Sequence, residues 1–209
     1  DPADAAAAAG GVPPAVVNAV RAVLTDTTVD GAFTAAAISL PAAAELVDAI
    51  EGADPVILHG VRMFVVKALA TALRPELEAA VKANDVPSSE PYSPNFAHAS
   101  KRALKNKALS CLAATCDPAV RADLLARARG AGNMTDRIAA VAALVDAACP
   151  EREAALAEFA TEYADEPLAM LKWLAIQAGS DVPSNLAAVK DLASHPAFSV
   201  TNPNCCYSL

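Results

Sequence analysis

The chain has 209 residues, enough for one domain of ordinary size or two small ones. Its net charge of −8 argues against a protein that binds a nucleic-acid backbone, because such proteins need concentrated positive charge. The sequence shows no apolar run near the roughly 18 residues that a membrane-spanning helix needs, so we expect no membrane partner.

Composition predicts the fold class. Hydrophobic residues make up 55% of the chain but aromatic residues only 4%, and alanine is the commonest apolar residue. Alanine is the best helix former and loses no side-chain entropy on folding. No stretch alternates between apolar and polar residues as a strand does. We therefore predict an all-α fold, an α-α superhelix built as a solenoid-like array of short antiparallel helices.

Proline and capping residues mark the predicted helix starts. The Asp-Pro pairs at residues 54–55 and 117–118 each place an acidic N-cap before a proline at the first helical position. Asn133 and Asp136 form a variant of the capping box. Helices are predicted to begin near Pro14, Val29, Pro41, Pro55, Pro75, Asn95, Pro118, Thr135, Glu151, Leu168 and Pro183.

The domain organisation is predicted from the two ends of this helical pattern. Residues 1–12 are interpreted as a flexible lead-in, because they carry acidic residues where a secretory signal has basic ones and lack a leucine-rich core. Residues 13–209 are predicted to form the helical domain. The serine- and proline-rich segment 85–95 is expected to be its one long irregular loop.

The sequence contains no candidate catalytic group. His59, His98 and His195 are isolated in sequence, and none belongs to an H-E-x-x-H zinc motif. A phosphate-binding glycine loop and a nucleophile elbow are also missing from the sequence. His59 is interpreted as an ordinary packed histidine and His195 as a residue at a helix end. We predict no catalytic, cofactor-binding or metal-binding residue in the chain.

The segment Lys101–Leu109 (KRALKNKAL) concentrates positive and amide groups on one predicted helix. One interpretation is a contact to an anion or a peptide carboxylate at a cavity wall. We favour the other interpretation, a solvated face whose charges pair with the acidic surface of the protein. Trp173 is predicted to be a packing anchor.

The five cysteines, an odd number, lie at Cys111, Cys116, Cys149, Cys205 and Cys206. We expect no disulfide framework and therefore a reducing compartment. Cys111 shares an apolar stripe at helical spacing and is predicted to lie in the core. The Cys205-Cys206 pair allows a metal or redox site, but two small side chains in the first turn of a helix are the favoured interpretation.

Several segments carry a resemblance to a known family. The most specific are the N-M-T-D turn at Asn133–Asp136, the Lys172-Trp173 pair, and the terminal H-P-x-F…N-P-N-x-x-Y-S-L. Together with SLPAAAELVDAI and ASKRALKNKALSCLA, they appear in the order and spacing of aminopeptidase N, the alanyl aminopeptidase branch of the zinc gluzincin metallopeptidases. The chain resembles the C-terminal helical domain of the bacterial and plant type, from about Val12 to Leu209.

This resemblance implies a function. The chain would be the non-catalytic helical cap of a zinc aminopeptidase that removes N-terminal residues from peptides. It would enclose the active-site cavity and control peptide access. The zinc ligands, the general-base glutamate and the G-x-M-E-N motif are expected upstream, so the chain alone would hold no cofactor and have no activity. Its partner would be the catalytic domain of the parent enzyme, in the cytoplasm or a plastid, with peptide substrates contacted indirectly.

The last residues hold the candidate site. The resemblance implies Asn202, Asn204 and Tyr207 as candidate residues of the cavity wall or of an interdomain contact. Relatives usually have a basic residue where this chain has Cys205, and they continue beyond Leu209. We therefore expect a domain truncated at its C-terminal end, with the segment from Tyr207 as the first turn of the next helix. The alternative function is a stand-alone α-solenoid scaffold or protein-binding module without enzymatic activity.

Overall fold

The computed structural model describes residues 10–87, 89–183 and 185–209. Within these ranges every regular element is an α-helix, which confirms the all-α prediction. The chain divides into two compact units, one ending at Cys116 and the other running from Asp117 to Leu209. The first nine positions of the predicted lead-in, residues 1–12, lie outside the described residues. The single helical domain over residues 13–209 stays a prediction.

Each unit contributes six of the helices that the structure describes. The helices of the first unit are α1 (Pro14–Thr25), α2 (Gly31–Ala37), α3 (Ala43–Ala49), α4 (Pro55–Ala72), α5 (Arg74–Asn84) and α6 (Phe96–Ala113). Those of the second unit are α7 (Pro118–Gly130), α8 (Met134–Leu144), α9 (Pro150–Glu162), α10 (Pro167–Ala178), α11 (Asn185–Leu192) and α12 (Pro203–Ser208). The starts of α1 to α11 lie within two residues of the predicted ones.

The predicted caps form as the sequence indicates. The side chain of Asp54 accepts hydrogen bonds from two backbone N–H groups in the first turn of α4, at 2.8 and 3.3 Å. Asp117 caps α7 in the same way, at 2.7 Å. At the start of α8, Asn133 accepts from the backbone N–H of Asp136 at 2.9 Å and donates to its carboxylate at 3.0 Å. These contacts satisfy donors that a helix start leaves without an intrahelical partner.

The first unit is built around α6, which packs against α2, α4 and α5. Helix α2 approaches so closely that a Cβ on Gly31 would stand 2.8 Å from the carbonyl oxygen of Ser100. The Ser100 hydroxyl donates to Asp30 at 3.2 Å and accepts from the backbone N–H of Ala32 at 3.0 Å. One side chain of α6 therefore also holds the N-terminus of α2.

The second unit has its own core. Helix α9 packs against α7, α8 and α10, and α10 packs against α11 and α12. The buried side chains of Leu124, Val141, Phe159 and Leu174 come from four of these helices. Trp173 is 6% exposed, and its indole N–H donates to the carbonyl of Leu156 at 2.9 Å. The prediction of a packing anchor is confirmed for this tryptophan.

Helix α4 is longer and more apolar than the sequence analysis predicted for any segment of the chain. It is 18 residues long with a mean hydropathy of 1.4, which makes it long and apolar enough to cross a membrane by length and composition alone. The prediction that no apolar run reaches this length is wrong, because the helix continues through Arg62 and Lys67. Within the first unit α4 packs against α3, α5 and α6. The absence of a membrane partner stays a prediction.

Candidate functional site

The predicted site residues lie at the start of α12. Asn202 is the N-cap, and its side chain accepts from the backbone N–H of Asn204 at 3.0 Å. Tyr207 is 88% exposed, and Asn204 is exposed as well. The structure thus brings Asn202 and Asn204 together and leaves Tyr207 at the surface of the same helix. Their role in a cavity or an interdomain contact stays a prediction.

Helix α12 begins earlier than the sequence indicated. Pro203 occupies the first helical position, where its missing N–H and restricted φ favour a helix start. The segment from Tyr207 is therefore not the first turn, and that part of the prediction is wrong. Cys205 and Cys206 lie in the first turn of α12. This is the position that the favoured interpretation of the pair, as two small side chains in a first helical turn, predicts. The thiol of Cys205 is buried and faces the carbonyl of Ala197 at 3.8 Å.

The basic segment of α6 corrects the favoured interpretation. Arg102 and Lys105 are 6% and 5% exposed, so they do not form a solvated face. Both lie in register with the buried Leu109 and Leu112, at the three- and four-residue spacing of one helix face. The aliphatic stems of the two cations therefore continue the apolar stripe.

The charged ends of these two side chains hold the loop before α6. The guanidinium of Arg102 donates to the carbonyl of Ser93 at 2.9 Å and lies 4.7 Å from the ring centroid of Tyr92. The ammonium of Lys105 lies 3.5 Å from a carboxylate oxygen of Asp85. Both buried cations therefore have partners within the first unit. Their burial needs no bound anion to explain it.

A small cavity of about 40 Å³ lies among α1, α4, α5 and α6. Its lining is mostly aliphatic, with Arg62, Lys107 and Cys111 contributing polar atoms. This volume suits a water molecule or two at most. Burial raises the pKa of the Cys111 thiol, so the thiol stays protonated and unreactive at neutral pH.

A larger cleft, of about 440 Å³, lies among α7, α8 and α9 in the second unit. Val141 and Phe159 lie at its base and are buried. Charged side chains from all three helices also line it, and they are Arg129, Arg137, Glu158 and Glu162. The volume falls within the usual range of small-molecule sites, about 300–1,000 Å³.

Two arginine–glutamate pairs form the charged part of this cleft. Arg129 binds Glu158 through two parallel hydrogen bonds, of 2.9 and 2.5 Å. Arg137 pairs with Glu162 and donates to the carbonyl of Arg129 at 3.4 Å. The guanidinium of Arg137 lies 5.5 Å from the ring centroid of Tyr163. The four charges are thus tied to each other across three helices.

The electrostatics agree with this geometry. The hydrogen bond from Arg129 holds the pKa of Glu158 below its ordinary value, with further contributions from the charges of Arg129 and Arg137. The same pairing raises the pKa of Arg129. Burial raises the pKa of the Tyr163 phenol. At neutral pH the Arg129–Glu158 pair is therefore ionised, and the neighbouring Tyr163 is neutral.

The histidines take no part in this cleft. The ring of His195 lies 4.9 Å from that of Trp173, and its Nδ1 accepts from the backbone N–H of Ala197 at 3.1 Å. Among the described residues, no group of three or more His, Cys, Asp or Glu side chains could hold a metal ion.

Comparison with known proteins identifies the family. The model of a family described as a domain of unknown function (DUF3458_C) with ARM repeats matches residues 3–209. The chain belongs to this family. The ARM-repeat description agrees with the predicted array of short helices.

Curated relatives of this DUF3458_C chain are aminopeptidases. Aminopeptidase N of Escherichia coli (strain K12) is 34% identical over 195 residues, which cover 92% of this chain and 22% of that protein. Aminopeptidase N of Caulobacter vibrioides is 33% identical over 187 residues, covering 90% and 21%. The crystal structure of Legionella pneumophila aminopeptidase A in complex with aspartic acid matches 95% of this chain and 24% of that one, with a TM-score of 0.82 and 25% identity.

The chain therefore spans about a fifth of the length of the curated relatives it matches. The matched region is the C-terminal helical part of aminopeptidase N-type enzymes. The predicted resemblance is confirmed. The cleft was not predicted, because the arginine–glutamate pairs that form it are 29 and 25 residues apart in sequence. The one local signal is the four-residue spacing of Glu158 and Glu162, which places both on one face of α9.

Proposed function

We propose that this chain is the non-catalytic helical cap of a zinc metallo-aminopeptidase that removes N-terminal residues from peptides. In this proposal it encloses the active-site cavity and controls the access of peptides. The observation that carries the proposal is the similarity of 92% of the chain to the C-terminal part of aminopeptidase N. The compact helical units support a structural role beside a separate catalytic domain.

The chemistry belongs to the catalytic domain in this proposal. Zinc there would polarise the scissile carbonyl and activate a water molecule. The described residues of this chain offer no cluster of donors that fits a zinc ion, and the zinc ligands would lie in the catalytic domain. Their part would be to shape the space that a peptide crosses before it reaches the metal.

A chimaeric enzyme tests the cap role. The C-terminal helical part of E. coli aminopeptidase N would be deleted, or replaced by this chain. We expect the deletion to turn over a small chromogenic alanyl substrate and to lose its discrimination between short and long peptides, measured as the ratio of their kcat/KM values. The chimaera should regain that discrimination. An unchanged ratio in a folded deletion variant would contradict the cap role.

The isolated chain supplies the second arm of this test. Assayed alone with zinc on the same chromogenic substrate, it should show no turnover above the buffer rate. Turnover at an enzyme-like rate would contradict the assignment of the chemistry to another domain.

The second candidate function is a stand-alone α-solenoid scaffold. Two compact units with buried cores favour it, since units of this size can fold without further chain. The intact mass of the native protein separates the two functions. A native species of 209 residues supports the scaffold, whereas a chain several times longer supports the cap. A reducing compartment, cytoplasm or plastid, is proposed for either form.

A further inference from the structure

We propose that the cleft among α7, α8 and α9 binds a small zwitterion, such as a dipeptide with free termini. The cleft combines small residues, such as Ala157 and Thr161, with two arginines and two glutamates. This site is separate from the cap role, and every measurement that tests it uses this chain alone.

The size of the cleft sets the class of ligand. A volume of about 440 Å³ lies towards the lower end of small-molecule sites, which span roughly 300–1,000 Å³. It accommodates an amino acid or a short peptide. Val141 and Phe159 lie beneath the cleft and are 1% and 2% exposed. The carbon that a ligand can reach therefore comes from the exposed Ala157 and from the methyl group of Thr161. A helix or a folded partner would need a longer groove.

The charge pattern favours a ligand with both signs of charge. Glu158 and Glu162 lie four residues apart on α9, while Arg129 and Arg137 come from α7 and α8. A simple anion would meet the two carboxylates, and a simple cation would meet the two guanidiniums. A zwitterion avoids both repulsions, because its carboxylate can lie at an arginine and its ammonium at a glutamate.

The ion pairs leave bonding capacity for such a ligand. Arg129 gives two hydrogen bonds to Glu158 out of the five N–H groups of a guanidinium. The side chains of Arg129 and Glu158 are 54% and 46% exposed, and that of Glu162 is 52% exposed. These groups are therefore both paired with each other and open to solvent.

The cleft is also preorganised. The side chain of Arg137 is 13% exposed and lies against Tyr163, Glu162 and the carbonyl of Arg129. The Tyr163 ring in turn lies 4.7 Å from Phe159. Because the Arg137 side chain is already held in place, less side-chain entropy is lost there when a ligand binds.

A ligand series tests the need for both charges. The 209-residue chain would be titrated with the dipeptide Ala-Phe and followed by nuclear magnetic resonance of its backbone amides. We expect saturable shifts at α7, α8 and α9, and binding at least about tenfold weaker for the N-acetylated, the C-amidated and the doubly blocked dipeptide. The proposal is overturned if the dipeptide gives no saturable shifts at concentrations up to ~10 mM. Equal affinity of the doubly blocked peptide overturns it as well.

Variants locate the site. Arg129→Gln and Glu158→Gln should each weaken dipeptide binding about tenfold or more. Arg127→Gln is the matched control, because Arg127 lies on the same helix and pairs with Asp123 at 2.7 Å outside the lining of the cleft. Its affinity should stay within about twofold of the parent chain. Circular dichroism and Trp173 fluorescence confirm that each variant is folded. If Arg127→Gln weakened dipeptide binding as much as Arg129→Gln does, the result would contradict the location of the site in the cleft.

Discussion

At the scale of single residues, the carbonyl oxygen of Val145 joins the end of α8 to α9 and to the segment that follows α10. It accepts from Nε of Arg152 at 2.8 Å and from the hydroxyl of Ser180 at 2.7 Å. All three residues are buried, and Val145 is the C-cap of α8. A carbonyl at a helix end lacks its intrahelical partner, so these donors supply what the helix cannot.

Replacing either donor should lower the stability of the second unit. Ser180→Ala removes one of the two hydrogen bonds, and we expect a loss of about 1 kcal/mol in the free energy of unfolding. Arg152→Met also removes a charged donor, and we expect about 1.5–3 kcal/mol. Urea unfolding followed by Trp173 fluorescence measures both.

Ser199→Ala is the control for this prediction, because Ser199 is exposed and its hydroxyl contacts that of Thr201. Its stability should stay within about 0.5 kcal/mol of the parent chain. A Ser180→Ala loss no larger than that of the control would show that the bond to Val145 contributes nothing.

At the scale of elements, local signals set the helix starts, and packing sets which face is buried. Asp54 and Asp117 cap their helices because the side chain and the N–H groups it reaches lie within three residues. Such contacts can be predicted from sequence. Arg102 and Lys105 could not be placed in this way, because charge alone suggests solvent while their spacing with Leu109 indicates the buried face. The partners at residues 85–93 decide between the two.

The contact between α2 and α6 gives a prediction that opposes helix propensity. Gly31→Ala should destabilise the first unit by about 1–3 kcal/mol, although alanine is the better helix former. The added Cβ would stand 2.8 Å from the Ser100 carbonyl and 3.1 Å from the Cβ of Leu104, so the helices must separate. Thermal or urea unfolding followed by circular dichroism measures the loss.

Gly130→Ala is the matched control on another helix. A Cβ at Gly130 would meet nothing within 4 Å, so this change should leave stability unchanged or raise it by up to about 1 kcal/mol. If Gly31→Ala changed the stability no more than Gly130→Ala does, the result would contradict the close approach of α2 to α6.

At the scale of the whole molecule, the division into two compact units has a thermodynamic consequence. The first unit buries Leu73 and Ala108, the second buries Leu144 and Leu174, and each core lies within its own unit. The single tryptophan, Trp173, belongs to the second unit. Its fluorescence therefore reports on one unit, while circular dichroism reports on the helices of both.

We expect the two signals to separate on unfolding. In urea, the transition seen by Trp173 fluorescence and that seen by circular dichroism should not coincide, which indicates more than two states. Gly31→Ala should shift part of the circular dichroism transition and leave the fluorescence midpoint unchanged. Coincident curves that shift together in this variant would show that the units unfold as one.

The sequence by itself determined the helical class, the starts of α1 to α11 and the resemblance to the aminopeptidase N family, because all three depend on composition, caps and ordered motifs. Tertiary structure alone decided the burial of Arg102 and Lys105 and the formation of the charged cleft. The pairing of Arg129 with Glu158 spans 29 residues, and only the packing of α9 against α7 brings these side chains together. Caps act within one turn of the chain, whereas such a pair forms only after whole helices have packed.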